Sequence, residues 1–350
     1  MRSSDKPPHH RQGFFQNNYL EFKPRSLGEV LRWKREAARA GKPKPPSTPI
    51  PAVAPDLPFI AANARAEDQR PAVTWIGHAT VLAQVGGLNV LTDPIFSERA
   101  SPVQFIGPKR HQPPGLALDQ LPPIDLVLVS HNHYDHLDEA SVAALARQPR
   151  GGPWFAVPLG LGDWLRRRGV QKIIELDWWD CHTMQTARGA VELMLLPAQH
   201  WSARGINDRM KTLWGGFALL APDCHLFFAG DTGYSRDFTD IREHFAGRQS
   251  DAQGGGFDIA LIPIGAYEPR WFMTEEHVNV EEALKIHHDL GAKRSLGVHW
   301  GTFELTDEAL DEPPRQLAAQ RLALGMSEQE FFTLAIGQTQ VLTPRRVKGR

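Results

Sequence analysis

From Val73 onward the chain reads as short apolar runs that end in polar residues. VTWIGHATVLAQV and LNVLTDP predict the first strands, with Gly86 and Gly87 between them as a hairpin turn. Further runs over 124–130, 191–197, 225–230, 258–265 and 294–300 are compact and apolar enough for buried strands, and several are followed at once by His or Asp. Helical patterns lie between them at 138–148, 158–168, 279–290 and 314–324. The third of these opens on Asn279 with Glu282 at capping-box spacing and meets a stop at Gly291. Strands alternating with helices predict an α/β class. Two β-rich halves of similar length suit a sandwich of sheets flanked by helices.

The first 70 residues have a different texture. Ser26 and Glu29 have capping-box spacing, which predicts a short helix with Leu27, Val30 and Leu31 on one side and Arg32, Lys34, Arg35 and Arg39 following, up to Gly41. The next stretch, KPKPPSTPIPAVAPDLP, is too rich in proline for a helix or a central strand and is expected to run extended along the body. The chain therefore divides into a basic, Pro-rich extension over 1–70 and a folded domain over 71–345. Residues 1–45 hold 11 Lys and Arg against 4 Asp and Glu, while the other 305 hold 28 against 36. That leading excess of cations has two readings: a solvated arm packed on the surface, or a basic amphipathic segment that touches anionic lipid.

With 41% hydrophobic and 23% charged residues, the 350-residue chain has ample material for one large core. Its net charge of −1 sets up no global field for nucleic acid, so no nucleic-acid partner is expected. Cys181 and Cys224 are the only cysteines, which excludes a disulfide scaffold and a Cys-based zinc module. No apolar run approaches the roughly 18 to 20 residues of a membrane span. MRSSDKPPHHRQGFF lacks the apolar core of a secretory signal, so a cytoplasmic location, peripheral at the membrane if the arm binds lipid, is the expectation.

Where the 15 histidines fall changes the picture. Ser130-His131-Asn132-His133-Tyr134-Asp135-His136 directly follows an apolar strand, so its side chains leave a rigid sheet edge. His131 and His133, two apart in extended chain, project to one side, and Asp135 and His136 can face a second point as the chain turns. Imidazole and carboxylate together suit zinc and other borderline first-row ions. Three other strand ends add His200, Asp231 and His299. Asp231 has two oxygens and can bridge two ions, and a bridged pair about 3.5–4 Å apart clamps a hydroxide. Asp93, just after a strand, is expected to orient a ligand imidazole. His78 reads equally as such a partner or as a packed core histidine. His9, His10, His111, His182, His225 and His244 have no partner at ligand spacing. Trp271 and Phe272 lead straight into His277 and would suit a lipid-lined cleft.

SHNHYDHLD followed by His200, AGDTGY and GVHWGTF resembles the metallo-β-lactamase fold superfamily, which implies an αββα sandwich with paired metals at one edge. WIGHAT, LTDPIFSERASP, GPKR, LWGGFAL, GDTGYSRDF, LIPIGAYEPRWFM, HVNVEEA and HWGTFELTDE are similar, in order over about 73–310, to segments of the N-acylphosphatidylethanolamine-hydrolysing phospholipase D family. The resemblance implies two Zn2+ per chain, one held by His131, His133, His200 and Asp231, the other by Asp135, His136, Asp231 and His299. It places Gln104 and His277 against substrate. Phe105 departs from an aromatic hydroxyl in the family pattern, and Asn279-Val280 from an Asp-Pro pair. The activity implied is hydrolysis of a phosphodiester in an N-acylated phospholipid to phosphatidate and an N-acylethanolamine by metal-bound hydroxide. Asp135 would also orient the hydroxide, and His277 would donate a proton to the leaving alkoxide or hydrogen-bond a phosphate oxygen. The alternative on the same fold is hydrolysis of a lactone or other small ester. Besides the phospholipid, the partners considered are a membrane surface and a second copy in a homodimer.

Overall fold

The computed structural model describes residues 8–21, 23–149 and 151–346. In chain order the elements are β1 (His10–Arg11), β2 (Phe14–Phe15), α1 (Leu27–Ala40), α2 (Leu57–Asn63), β3 (Ala72–Gly77), β4 (Thr80–Val85), β5 (Leu88–Thr92), β6 (Leu126–Leu128), α3 (Glu139–Ala146), β7 (Trp154–Pro158), α4 (Gly162–Arg166) and β8 (Ile173–Leu176). The second half continues with β9 (Cys181–Thr186), β10 (Gly189–Leu196), β11 (Gly216–Ala221), β12 (Cys224–Phe228), α5 (Asp237–Phe245), β13 (Ile259–Pro263), α6 (Arg270–Met273), α7 (Val280–Leu290), β14 (Ser295–Val298), α8 (Glu312–Leu324), β15 (Phe331–Phe332) and β16 (Thr339–Val341).

Among the described residues two seven-stranded mixed sheets face each other. One has the order β16-β3-β4-β5-β6-β7-β8, antiparallel from β16 to β5 and parallel from β5 to β8. The other runs β15-β14-β13-β12-β11-β10-β9, an antiparallel meander from β9 to β12 followed by parallel strands. A two-stranded β1–β2 ribbon stands apart from both.

Strand β4 shows why the apolar runs lack alternation. Val81, Ala83 and Val85 join the core between the sheets, whereas Leu82 points the other way into a cluster with Val142 and Leu145 of α3 and Leu165 of α4. Both faces are covered, so both sets of positions must be apolar. On the second sheet Phe217, Leu219 and Phe228 are fully buried, and each such side chain stabilises the fold by roughly 1.5–3 kcal/mol. Layers of helix, sheet, sheet and helix make this the expected αββα sandwich.

The hairpin at Gly86–Gly87 forms as expected, with φ of +62° and +82° and Val85 opposite Leu88. VTWIGHATVLAQV is two strands, reversing at His78-Ala79. Both capping boxes are present, at Ser26/Glu29 and Asn279/Glu282, and Gly41 and Gly291 close their helices in the left-handed region. Other readings change. The helix expected at 158–168 shortens to α4, because residues 154–158 pair in β7. Helix α5 was not expected, although Phe238, Ile241 and Phe245 bury at helical spacing.

The face of α1 also differs from expectation. Leu27 and Leu31 are 74% and 61% exposed, and the buried residues are Trp33 and Ala37, which pack with Val30 on Phe272 and Met273. The Pro-rich stretch does run extended. Val53 N donates to Ile336 O at 2.8 Å, and Ile336 N donates to Pro51 O at 2.9 Å. Its end is taken by α2, capped by Asp56 with Pro58 in the first turn. Among the described residues no helix is long and apolar enough to cross a membrane.

Candidate metal centre

The parallel strands of both sheets finish at one edge, and the loops that leave them carry the polar side chains. Residues 130–136 follow β6, Asp93 follows β5, Asp231 follows β12 and His299 follows β14, while His200 comes after β10 and His78 occupies the β3–β4 turn. A side chain at Gly230 would bring its Cβ within 2.5 Å of Ser130 Cβ, so glycine is what lets the Asp231 loop close on the β6 loop. His78, Asp93 and His299 sit at φ +53°, +31° and +63°, a strained region for residues with side chains that concentrates at functional sites.

Seven of the expected residues converge in two groups. In the first, His131 Nε2 lies 2.8 Å from His133 Nδ1, which is 3.3 Å from His200 Nε2. In the second, His136 Nε2 and His299 Nε2 are 3.1 Å apart, with Asp135 Oδ2 at 3.2 Å from the former and 3.4 Å from the latter. Asp231 reaches both. Its Oδ2 is 3.1 Å from His136 Nε2 and 4.0 Å from His131 Nε2 and His200 Nε2, and its Oδ1 is 3.2 Å from His299 Nε2.

What stands behind these rings settles which nitrogens point inward with a free lone pair. Asp93 accepts from Ser130 N at 2.7 Å, from Ser130 Oγ at 2.5 Å and from His136 Nδ1 at 2.6 Å. The Ser130 hydroxyl proton is therefore given to Asp93, and its oxygen accepts from His131 Nδ1 at 2.8 Å. His200 Nδ1 donates to Glu276 O at 2.9 Å. With the Nδ1 protons of His131 and His200 so committed, their Nε2 atoms are unprotonated acceptors. His78 Nε2 lies 2.9 Å from Asp135 Oδ2, so His78 is a partner of a site carboxylate rather than only a packed ring. From behind, Arg204 Nη1 donates to Asn132 O and Leu137 O at 3.1 and 2.7 Å, clamping both ends of the histidine loop.

Buried lone pairs that face one another and share too few protons repel, unless a cation lies between them. Burial pushes the His131, His133 and His200 imidazoles well toward the neutral form, to about 4 for His133. Burial also opposes charge on His136, but Asp231, Asp135 and Asp93 outweigh it and drive that ring toward its protonated form. The same contest raises His299 to about 9, chiefly through Asp231. Asp135 and Asp231 are held well below the usual carboxylate range: burial acts to raise both, and the surrounding imidazoles overcome it. The pocket thus demands positive charge. Imidazole nitrogens and carboxylates are the donors that a divalent first-row ion takes, so the residues present fit a metal centre.

His277 is brought to the same place, with Nδ1 3.8 Å from Asp231 Oδ2 and its ring 5.2 Å from that of His200. Burial lowers it to about 4, so it is neutral near pH 7. The cleft over the site has a volume of about 440 Å³ and is lined by His133, Asp135, Asp231 and His277 together with apolar Trp33, Phe272, Met273 and Leu305. Trp271 is not in that lining. It is 37% exposed, under the Arg32 guanidinium 4.5 Å from its ring, and its neighbours Phe272 and Met273 face the cleft instead. Gln104 also lies elsewhere. It folds onto Arg99 by two hydrogen bonds of 3.0 and 3.2 Å and borders an adjacent cleft of about 670 Å³ with Asn132, Tyr134 and Trp164. Trp33 and Glu276 were not anticipated. Trp33 had a local signal in its spacing from Val30 and Ala37; Glu276, raised to about 7 by burial, had none beyond standing next to His277.

Comparison with known proteins agrees with this fold. Residues 88–300 match the beta-lactamase superfamily domain. The chain is 39% identical over 272 residues to N-acyl-phosphatidylethanolamine-hydrolyzing phospholipase D 1 of Caenorhabditis elegans, covering 76% of this chain and 74% of that one. It is 38% identical over 346 residues to an uncharacterized protein of Mycobacterium tuberculosis, covering 95% and 83% of the two chains. Among solved structures, Igni18, a metallo hydrolase from the archaeon Ignicoccus hospitalis, superposes with a TM-score of 0.56 at 20% identity over 77% of this chain and 97% of that one. The chain belongs to the beta-lactamase superfamily and, within it, to the family of the worm phospholipase D. It is an enzyme, a metal-dependent hydrolase.

Proposed function

We propose that this enzyme is a phosphodiesterase of the phospholipase D type. It would cleave an N-acylated phospholipid to phosphatidate and an N-acylethanolamine, with two Zn2+ held by His131, His133, His200 and Asp231 and by Asp135, His136, Asp231 and His299. The observation that carries this reading is the juxtaposition, in one cleft, of the converging donor set with the apolar wall of Trp33, Phe272, Met273 and Leu305. When bound, such a metal pair makes hydroxide available near neutral pH and neutralises charge on a phosphate.

The protein's own groups have distinct tasks in this reading. Asp135, half-buried and fixed by His78, presents its carboxylate to the cleft and orients the attacking oxygen. Asp231 spans the two donor groups and fixes their separation. His277, neutral and beside Asp231, is placed to hydrogen-bond a phosphate oxygen or the oxygen of the leaving group. The apolar wall takes the start of an acyl chain and keeps water away from it. Contact with a membrane surface is supported by α1, where exposed Leu27 and Leu31 lie beside the exposed cations Arg32, Lys34, Arg35 and Arg39.

Turnover in 18O-labelled water tests the reaction. Attack at phosphorus leaves the label on phosphatidate, whereas attack at carbon leaves it on the alcohol, and mass spectrometry of both products tells them apart. Label in the N-acylethanolamine, or turnover of lactones with no turnover of phosphodiesters, rejects the phospholipase reading.

A further inference from the structure

The strap that follows the β1–β2 hairpin reaches further into the protein than its exposed, basic composition suggests. His9 Nε2 and His10 Nε2 donate to the two oxygens of Asp177 at 2.6 and 2.7 Å, stapling the hairpin to the second half of the fold. Asn18 Nδ2 donates to Asp237 Oδ1 at 2.7 Å at its other end. Between these anchors the strap clamps the long connection from β10 to β11, which carries His200 and has little regular structure. Phe15 N donates to Met210 O at 2.7 Å, and Asn17 Oδ1 accepts from His200 N at 3.0 Å.

The Asn17 contact is the informative one. Asn17 is 3% exposed and His200 is 1% exposed, so the His200 amide has no access to water and depends on that side chain for its acceptor. Meanwhile Asn17 Nδ2 is buried with no partner of its own. Keeping an unsatisfied donor underground is costly, and a residue chosen only to pack there would not carry one. His200 is thus held at two points: Nδ1 by Glu276 O, and its backbone by Asn17. The two together fix where Nε2 points.

We propose that Asn17 is a positioning residue for His200, so that the N-terminal strap forms part of the metal centre rather than only an arm on its surface. The inference rests on the metal set proposed above, and His200 lies in the long β10–β11 connection, where Gln199 is bridged to Gly233 but the residues that follow have little regular structure. Losing a group that orients a metal ligand typically weakens metal binding by 10- to 100-fold. Asn17→Ala should therefore release metal to a competing chelator roughly 10- to 100-fold faster than the wild type. Asn17→Asp, which keeps an acceptor oxygen and removes the unsatisfied donor, should restore retention. Asn18→Ala, which loosens the strap at Asp237 without touching His200, should retain metal like the wild type.

The experiment uses full-length, Zn2+-replete protein, with metal release followed by a chromogenic chelator. Melting temperatures with and without metal are measured on the same samples. Loss of positioning shrinks the metal-induced rise in Tm, whereas simple detachment of the strap lowers both temperatures alike. Unchanged metal release in Asn17→Ala, or equal loss in Asn17→Ala and Asn18→Ala, overturns the proposal. If Asn17→Ala does not fold, Asn17→Ser, whose hydroxyl is too short to reach the His200 amide, is read in the same way. A wild type that takes up no metal, or a His200→Ala variant that retains all of it, instead overturns the metal assignment on which the inference rests.

Discussion

Replacing Asp93 should separate the stability of the fold from the integrity of the metal centre, because one carboxylate serves both. Asp93 is fully buried and receives three donors: the Ser130 amide, the Ser130 hydroxyl and His136 Nδ1. Burial pushes its pKa up, yet three donors with no acceptor are the surroundings of an ionised carboxylate. In Asp93→Ala the Ser130 hydroxyl can rotate, but the Ser130 amide and the His136 ring N–H are left unpaired where water does not reach. At about 1–3 kcal/mol for each of the two orphaned donors, the expected loss is roughly 2–6 kcal/mol, with coupling between neighbours deciding where in that range it falls. Asp93→Asn keeps the shape but turns an amide NH2 toward at least one donor, so its loss should fall between Ala and wild type. Urea unfolding of metal-stripped protein reads this quantity without any contribution from ligand binding. Chelator competition on replete protein then reads the second effect. With His136 free to rotate and His131 held by an unanchored Ser130, both groups of donors lose orientation, and metal affinity should fall by about 10- to 100-fold. If Asp93→Ala lies within about 0.5 kcal/mol of wild type and keeps its metal, the chain of hydrogen bonds described here does not organise the site.

Two further outcomes follow from particular side chains. Replete wild type should hold two metal ions; Asp231→Ala should lose metal from both positions and His299→Ala mainly from one, and metal analysis that finds about one ion in wild type, with no further loss in Asp231→Ala, contradicts the bridged pair. Buried Asp311 receives Ser47 and Thr48 of the Pro-rich stretch, and although burial acts to raise it, those hydrogen bonds hold it at about 2. Because that value lies below the roughly 3.9 of an unfolded chain, the stabilisation is present above about pH 4 and is lost as pH falls toward 2. Asp311→Ala should cost about 2–3 kcal/mol at pH 7, and its urea midpoint should converge on that of wild type in acid, whereas a pH-independent gap refutes the assignment.

The strands and the ligand loop were legible for the same reason: their signals are local. An apolar run covered on both faces, a capping box or a left-handed glycine depends on residues a few positions apart. The histidine loop adds chemistry to that, since ligand-type side chains crowded at a strand end have few uses other than a metal. What the sequence did not settle depends on the partner. Helix α1 offers two apolar stripes, one through Leu27 and Leu31 and one through Val30, Trp33 and Ala37. The second wins only because Phe272 and Met273, some 240 residues further on, present a surface to it. Strand β9 has no stripe at all: CHTMQT is a half-exposed edge strand, recognisable only by its pairing with β10.

The misplacements at the site have the same origin. Gln104 and Trp271 lie next to residues that do line clefts, but a side chain follows its nearest satisfaction: Gln104 closes on Arg99, and Trp271 stacks under Arg32. His78 was undecidable from its neighbours because its partner, Asp135, lies 57 residues away and the β3–β4 turn alone does not reveal which way the ring faces. A left-handed backbone at His78 is what swings the imidazole toward Asp135, and Thr302 Oγ1 holds that turn by accepting from His78 N at 2.8 Å. His299, also left-handed, donates its backbone N–H to His78 O at 3.0 Å. Two strained residues from different sheets thus hold each other, and neither conformation is explicable without the other. Strain shared in this way persists only where the surrounding core over-determines it. The ligand geometry at the edge of the sandwich is therefore a property of how the two sheets are registered, and a substitution that shifts one sheet against the other should disturb the metal centre even when it touches no ligand.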